Sequence, residues 1–282
     1  MEAEAIMDFL TAYKIPVGPW AKTLVDWLTA NGGGFFDTIA AVLGGAVGWI
    51  VLALQAPPPP VTVALIATLA FILKRSIPLA LFVATALLFI VNQGFWKETT
   101  QTLALVVASS AVCMGLGVPI GILAARRAWA MAALRPVLDL MQTIPTFVYL
   151  IPALVLFGLG MVPGLIATVI FALPASIRLT ALGVSSTPKP LLEAADSFGA
   201  TPIQRLVKVE LPHAMPQILA GLTQTIMLSL SMVVIAAMVG ANGLGVPVVR
   251  ALNTVNIGMG FTAGLAIVLI AIMLDRMCRI RG

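Results

Sequence analysis

The residues with the most chemical information lie in one stretch, Ser185–Leu222, which reads SSTPKPLLEAADSFGATPIQRLVKVELPHAMPQILAGL. It holds the single histidine of the chain, His213. No nucleophile or orienting acid is spaced to serve that imidazole, so the pattern does not point to catalysis. Thr187-Pro188 reads as an N-cap followed by proline at the first helical position. Leu191, Ala195 and Phe198 then recur on one helical face, with Lys189, Glu193 and Asp196 on the other. Gly199 stops this helix. Thr201 and Gln204, with Pro202 between them, form a capping-box pattern that starts a second one. The second helix is expected to run through Arg205 and Lys208 and to end at Pro212. Two short amphipathic helices joined at a glycine corner either cap a bundle or present a surface to a partner.

The elements that carry this loop follow from composition. Of 282 residues, 60% are hydrophobic and 10% charged; soluble domains carry about 45–50% and about 25%. That excludes an ordinary soluble enzyme and a disordered chain, and leaves an all-α, polytopic bundle of membrane-spanning helices. With about 20 apolar residues needed per crossing, spans are expected at Thr99–Ala125, Val137–Phe157, Val162–Gly183, Met215–Gly240 and Ile257–Met277. Two shorter runs, Val61–Leu73 and Ile77–Val91, precede them. Together these make seven spans, or eight if Thr38–Ala56 also crosses; Trp20–Leu54 is read as partly interfacial, with Trp20, Trp27 and Trp49 in a belt. The division is then a 1–56 tail, two accessory spans in 57–95, and a 96–282 core carrying the loop at 185–212.

The basic residues orient the spans. Lys74, Arg75, Arg126, Arg127, Arg135, Arg178, Lys189, Arg205, Lys208, Arg276, Arg279 and Arg281 all fall on one side if the seven segments alternate, leaving Lys97 and Arg250 opposite. This places the loop and the C-terminus in the cytoplasm. It also explains the net charge of +5 as a cytoplasmic excess instead of a nucleic-acid footprint, so no nucleic acid is expected as a partner. The acidic start, MEAEAIMDFL, lacks the features of a cleavable signal peptide. Cys113 and Cys278 have no metal-site or disulfide spacing. Asp139, Arg178, Asp275 and Glu98 lie near span ends, so the span centres hold no carboxylate relay for an ion gradient. No G-x-x-x-x-G-K-[ST] phosphate loop occurs, so any ATP must be bound elsewhere.

Glu193-Ala194-Ala195, Gly199 four residues later, and then Leu211-Pro212 resemble the signature loop of inner-membrane permeases of ABC importers. Leu140–Pro152, Ile226–Gly245 and Gly264–Arg276 are similar to the glycine betaine, proline betaine and choline subfamily, a likeness covering residues 95–280; Asn242 departs from it where a small residue is usual. The resemblance implies a type I ABC importer permease fold in a bacterial inner membrane. It implies two copies of a cytoplasmic ABC ATPase holding ATP and magnesium, an extracytoplasmic substrate-binding protein, and a second copy of this chain, all set in membrane lipid. In that family the first short helix docks on the ATPase, small Ala194, Ala195 and Gly199 permit close packing, and Glu193 helps hold the loop's shape.

A solute path should use polar or breakable positions. Pro145 and Pro152 loosen the span around Thr143, Thr146, Phe147 and Tyr149. In the next-to-last span Gln224 and Ser231 add neutral polarity and Met227 soft surface, with Thr223, Ser229 and Met232 beside them. Aromatic faces can hold a quaternary ammonium, and a lining without carboxylates would not trap it. The same residue types also pack helices together. An ion-independent channel, a secondary carrier and a membrane scaffold are the competing functions.

Overall fold

The computed structural model describes residues 15–279. The acidic start MEAEAIMDFL and Arg281, which enter the reading above, lie outside them. The described elements are helical throughout. They are α1 (Val17–Gln55), α2 (Pro59–Lys74), α3 (Ile77–Asn92), α4 (Trp96–Arg126), α5 (Ala128–Thr143), α6 (Thr146–Phe157), α7 (Met161–Ser185) and α8 (Lys189–Ser197). A single turn α9 (Pro202–Arg205), a π-helical turn (Leu206–Glu210), α10 (Leu211–Ala237), α11 (Gly245–Asn253) and α12 (Ile257–Cys278) complete the chain.

Five helical segments are long and apolar enough to cross a membrane, and a sixth crossing results if the bent pair α5–α6 counts as one. The expected continuous span Val137–Phe157 is therefore corrected: α5 and α6 meet at 94°. Pro145 supplies the reason. Its ring forces Ile144 out of the helical region, to φ −64° and ψ 130°, as proline does to its predecessor. Pro152, by contrast, sits inside α6 without breaking it. α2 and α3 have 16 residues each, about 24 Å, which is short for a hydrocarbon core of about 30 Å. α1 is one continuous helix of 39 residues, about 58 Å long, where an interfacial segment was expected.

The centre of the molecule is α7, held between α4 and α10. Membrane helices gain little from apolar burial against each other, so small residues that allow backbone approach decide the contacts. Gly117 and Gly121 of α4 stack on Ser176 and Thr180 of α7; a Cβ at Gly117 would lie 2.0 Å from the Ser176 hydroxyl, and one at Gly121 would lie 2.8 Å from the Ile177 carbonyl oxygen. On the other side Gly183 meets Ala214 and Gln217 of α10. Two buried serine hydroxyls find partners across helix seams. Ser176 donates to the Cys113 carbonyl at 3.0 Å, and Ser109 donates to Ser229 at 3.1 Å. Ser229 thus serves as interhelical glue, the packing reading of its type. Gly117→Val is expected to wedge α4 from α7 and to cost about 2–3 kcal/mol, read as a lower melting temperature in detergent.

Leu87, Ile90, Leu105, Leu230 and Ile270 form the largest apolar cluster, which joins α3, α4, α10 and α12. At one end of the bundle the turn before α11 is pinned by the Leu244 amide donating to Thr102 of α4 at 2.8 Å. α4 starts at that end and finishes at Arg126 at the other, where the Ser185–Pro202 loop projects.

Candidate coupling surface and solute path

The loop helix α8 is delimited by local chemistry. Its N-cap is Pro188, not Thr187 as expected; the Thr187 hydroxyl instead donates backwards to the Val184 carbonyl at 2.9 Å, closing the end of α7. At the other end Gly199 adopts φ +75°. The Ala200 amide reaches the Ala195 carbonyl at 3.0 Å and the Gly199 amide reaches Asp196 at 2.9 Å, which is the paired-bond Schellman stop. Among the described residues, none beyond its two chain neighbours has an atom within 4 Å of a Cβ placed at Gly199. Glycine is required there for its left-handed backbone, at about 1–2 kcal/mol for another residue. The Thr201–Gln204 capping box is present, with the Thr201 amide on Gln204 Oε1 at 2.9 Å and the Gln204 amide on Thr201 Oγ1 at 3.3 Å.

The second helix does not end at Pro212. Leu211 and Pro212 instead form the first turn of α10. The π-helical turn explains this: the Leu211 amide bonds back to Leu206, five residues earlier, and the wider turn accommodates a proline that lacks an amide and would crowd an ordinary helical carbonyl. Pro212 and His213 are exposed.

The same turn directs Glu210 inward, and its side chain is only 5% exposed. Arg126 grips it with two bonds, Nε to Oε2 at 3.1 Å and Nη2 to Oε1 at 3.0 Å, and also donates to the Pro202 carbonyl at 3.0 Å. Arg205 Nε adds a third bond to Oε1 at 3.1 Å. Arg205 Nη1 then reaches Asp196 of α8 at 3.1 Å. Two acids and two bases thus tie α8, the π turn and the end of α4 into one charge-balanced brace. This is where sequence reasoning falls short. Glu193 was expected to hold the loop's shape, but among the described residues no hydrogen bond or ion pair reaches its carboxylate; the brace is Glu210. Only the placing of a lone acid immediately before Leu211 hinted at it.

Braced from behind, α8 presents its front to solvent. Glu193 and Ala194 are exposed and Ala195 half-buried. Leu191 is 47% and Phe198 92% exposed. A small notch between Ala195, Phe198, Gln204 and Lys208 sits beside them. The amphipathic face read from the sequence is real, and none of the described residues covers it.

The path candidates fall in two groups. Thr143 closes α5, its hydroxyl on the Asp139 carbonyl at 2.9 Å; Thr146 opens α6, with Phe147 49% exposed one residue on. The Tyr149 hydroxyl is buried without a hydrogen-bond partner, beside a cluster of Leu150, Ala167, Met232 and Val239. The break at Pro145 therefore gathers these four residues around one corner. Gln224, Met227 and Ser231 share one exposed face of α10, with the Ser231 hydroxyl on the Met227 carbonyl at 3.1 Å. Met232 is 1% exposed and packs inside. Asp139 pairs with Arg178 at 2.5 Å.

Long apolar helices, a helix broken among neutral polar groups and a braced helix beyond the bundle define a polytopic membrane permease. More particularly, the chain belongs to the family described as the binding-protein-dependent transport system inner membrane component, whose model matches residues 117–280. It is 47% identical over 266 residues to the glycine betaine/carnitine transport permease protein GbuB of Listeria monocytogenes, spanning 93% of this chain and 94% of that protein. It is 48% identical over 264 residues to the glycine betaine transport system permease protein OpuAB of Bacillus subtilis, spanning 93% of each. Its fold is similar to a chain of the inward-facing MetNI methionine ABC transporter, with a TM-score of 0.57 at 23% identity over 62% of this chain and 88% of that one. The chain is a membrane transport subunit, not an enzyme.

Proposed function

We propose that this chain is the permease subunit of an ATP-driven importer for glycine betaine and related quaternary-ammonium osmolytes. The observation that carries the coupling role is the exposed apolar face of α8, held rigid by the Glu210 brace. A surface of that kind can transmit a push only if a partner covers it, and the proposed partner is a cytoplasmic ABC ATPase in two copies holding ATP and magnesium. Ala194, Ala195 and Gly199 form the docking face and corner, Glu193 lies on the opposite face with Asp196, and Leu211 and Pro212 link the loop to α10. ATP binding would move α8 and tip the helices only insofar as the ATP-bound partner favours one arrangement over the other.

The substrate class rests on the relatives, with an extracytoplasmic binding protein delivering the solute. The path is assigned to Thr143, Thr146, Phe147 and Tyr149 together with Gln224, Met227 and Ser231. A second copy of the chain supplies the missing wall, since the Gln224–Ser231 face is left open by its own subunit. From Pro59 onward seven crossings fit the charge pattern, with loop and C-terminus in the cytoplasm. α1 is an eighth: Trp20 and Trp49 lie about 44 Å apart along its axis, the thickness of a bilayer with its headgroups, about 40–45 Å.

Proteoliposomes holding the assembled complex test this reading. Labelled glycine betaine should accumulate only with ATP and binding protein together. Equal uptake by the purified chain alone would favour a channel or carrier and overturn it.

A further inference from the structure

A cavity of about 660 Å³ opens between the α2–α3 turn and the end of α12. Lys74, Ser76, Arg276 and Arg279 form its polar rim, and Leu79, Phe82 and Ile272 line its apolar side. It lies at the Arg126 end of the bundle, because α12, like α4, starts beside the turn pinned by Thr102 and finishes at the opposite end. The Lys74 ammonium donates to the Arg279 carbonyl, which fixes the end of α12 against α2. Among the described residues no carboxylate pairs with Lys74, Arg276 or Arg279. Asp275, the neighbouring acid on α12, does not line the cavity.

A second, apolar furrow continues from the first along the same two helices. It is lined by Phe82, Thr85, Phe89, Leu265 and Leu269 and holds about 250 Å³. Phe82 belongs to both. From Arg276 back to Leu265 the helix rises about 16 Å, close to one leaflet of a hydrocarbon core about 30 Å thick. A cationic rim attracts any phosphate; an apolar furrow of leaflet depth running from it selects an amphiphile.

We propose that this site holds one anionic phospholipid, its phosphate on Lys74, Arg276 and Arg279 and one acyl chain along Phe82, Phe89 and Leu269. Basic pockets between helices at this depth bind anionic headgroups, and each cation near the surface contributes measurably to that attraction. The lipid would then fasten α2–α3 to α12 where the side chains leave a gap.

Native mass spectrometry of the full-length chain in neutral detergent tests the site, with palmitoyl-oleoyl phosphatidylglycerol and the matching phosphatidylcholine as probes. One phosphatidylglycerol should be retained at least about tenfold more tightly than phosphatidylcholine. Lys74→Ala with Arg276→Ala should weaken it about thirtyfold. Arg276→Gln alone should show a smaller loss and serves if the double variant fails to fold, since no described partner depends on that side chain. Leu269→Trp should weaken phosphatidylglycerol by filling the furrow with every cation in place. Full competition by glycerol 3-phosphate or inorganic phosphate would reassign the site to a free anion. Equal retention of the two lipids, or indifference to all three variants, would overturn the proposal.

Discussion

Glu210→Ala is expected to lower stability by about 2–3 kcal/mol, a fall of about 5–10 °C in melting temperature, and to abolish coupled uptake as well. The carboxylate is 5% exposed while Arg126 and Arg205 are 28% and 33% exposed. Removing the acid strands two guanidinium groups facing each other, but water can reach both, which is why the loss stays below that of a fully buried pair. Three hydrogen bonds to the carboxylate disappear together. Arg205 keeps its exposed contact with Asp196, worth little alone, so α8 loses its tie to α4. Glu210→Gln retains an acceptor oxygen and should lose roughly half as much. A double-mutant cycle between Glu210 and Arg126 should return a coupling above about 1 kcal/mol; additive losses would show that the two groups do not act as a unit.

Phe198→Asp should leave stability unchanged and do the same to transport as Glu210→Ala. With 92% of the residue exposed, the folded chain gains almost nothing from the ring, and the melting temperature should stay within about 1 °C of the parent. ATP-driven uptake should fall at least tenfold, roughly the loss when one aromatic anchor leaves an interface. The two variants together separate a brace from a docking face: one loses stability and transport, the other transport alone. Unchanged uptake in Phe198→Asp would mean that the partner does not sit on this face.

Much of this was legible from the residues because local rules governed it. The glycine corner at Gly199 and the Thr201–Gln204 box depend on neighbouring atoms only, and the apolar runs marked α4, α7, α10 and α12 to within a few residues. Three things needed the third dimension. Pro145 and Pro152 are equally suspect breakers in sequence, yet only Pro145 bends the chain. Pro212 reads as a stop until the π turn reroutes the bond it cannot make. Glu210 and Arg126 are 84 residues apart, so no local pattern could pair them. Gly117 and Gly121 likewise acquire meaning only when Ser176 and Thr180 lie across from them.

The central claim is that α8 is where an external ATPase meets this permease. A single introduced cysteine tests it most directly. In a chain carrying Cys113→Ala and Cys278→Ala, Phe198→Cys should cross-link to the partner ATPase through a short bifunctional reagent, with a yield that changes when ATP is added. Val255→Cys, 83% exposed in the turn before α12 at the other end of the bundle, should give no such product. Cross-linking from position 255 and none from position 198 would contradict the account.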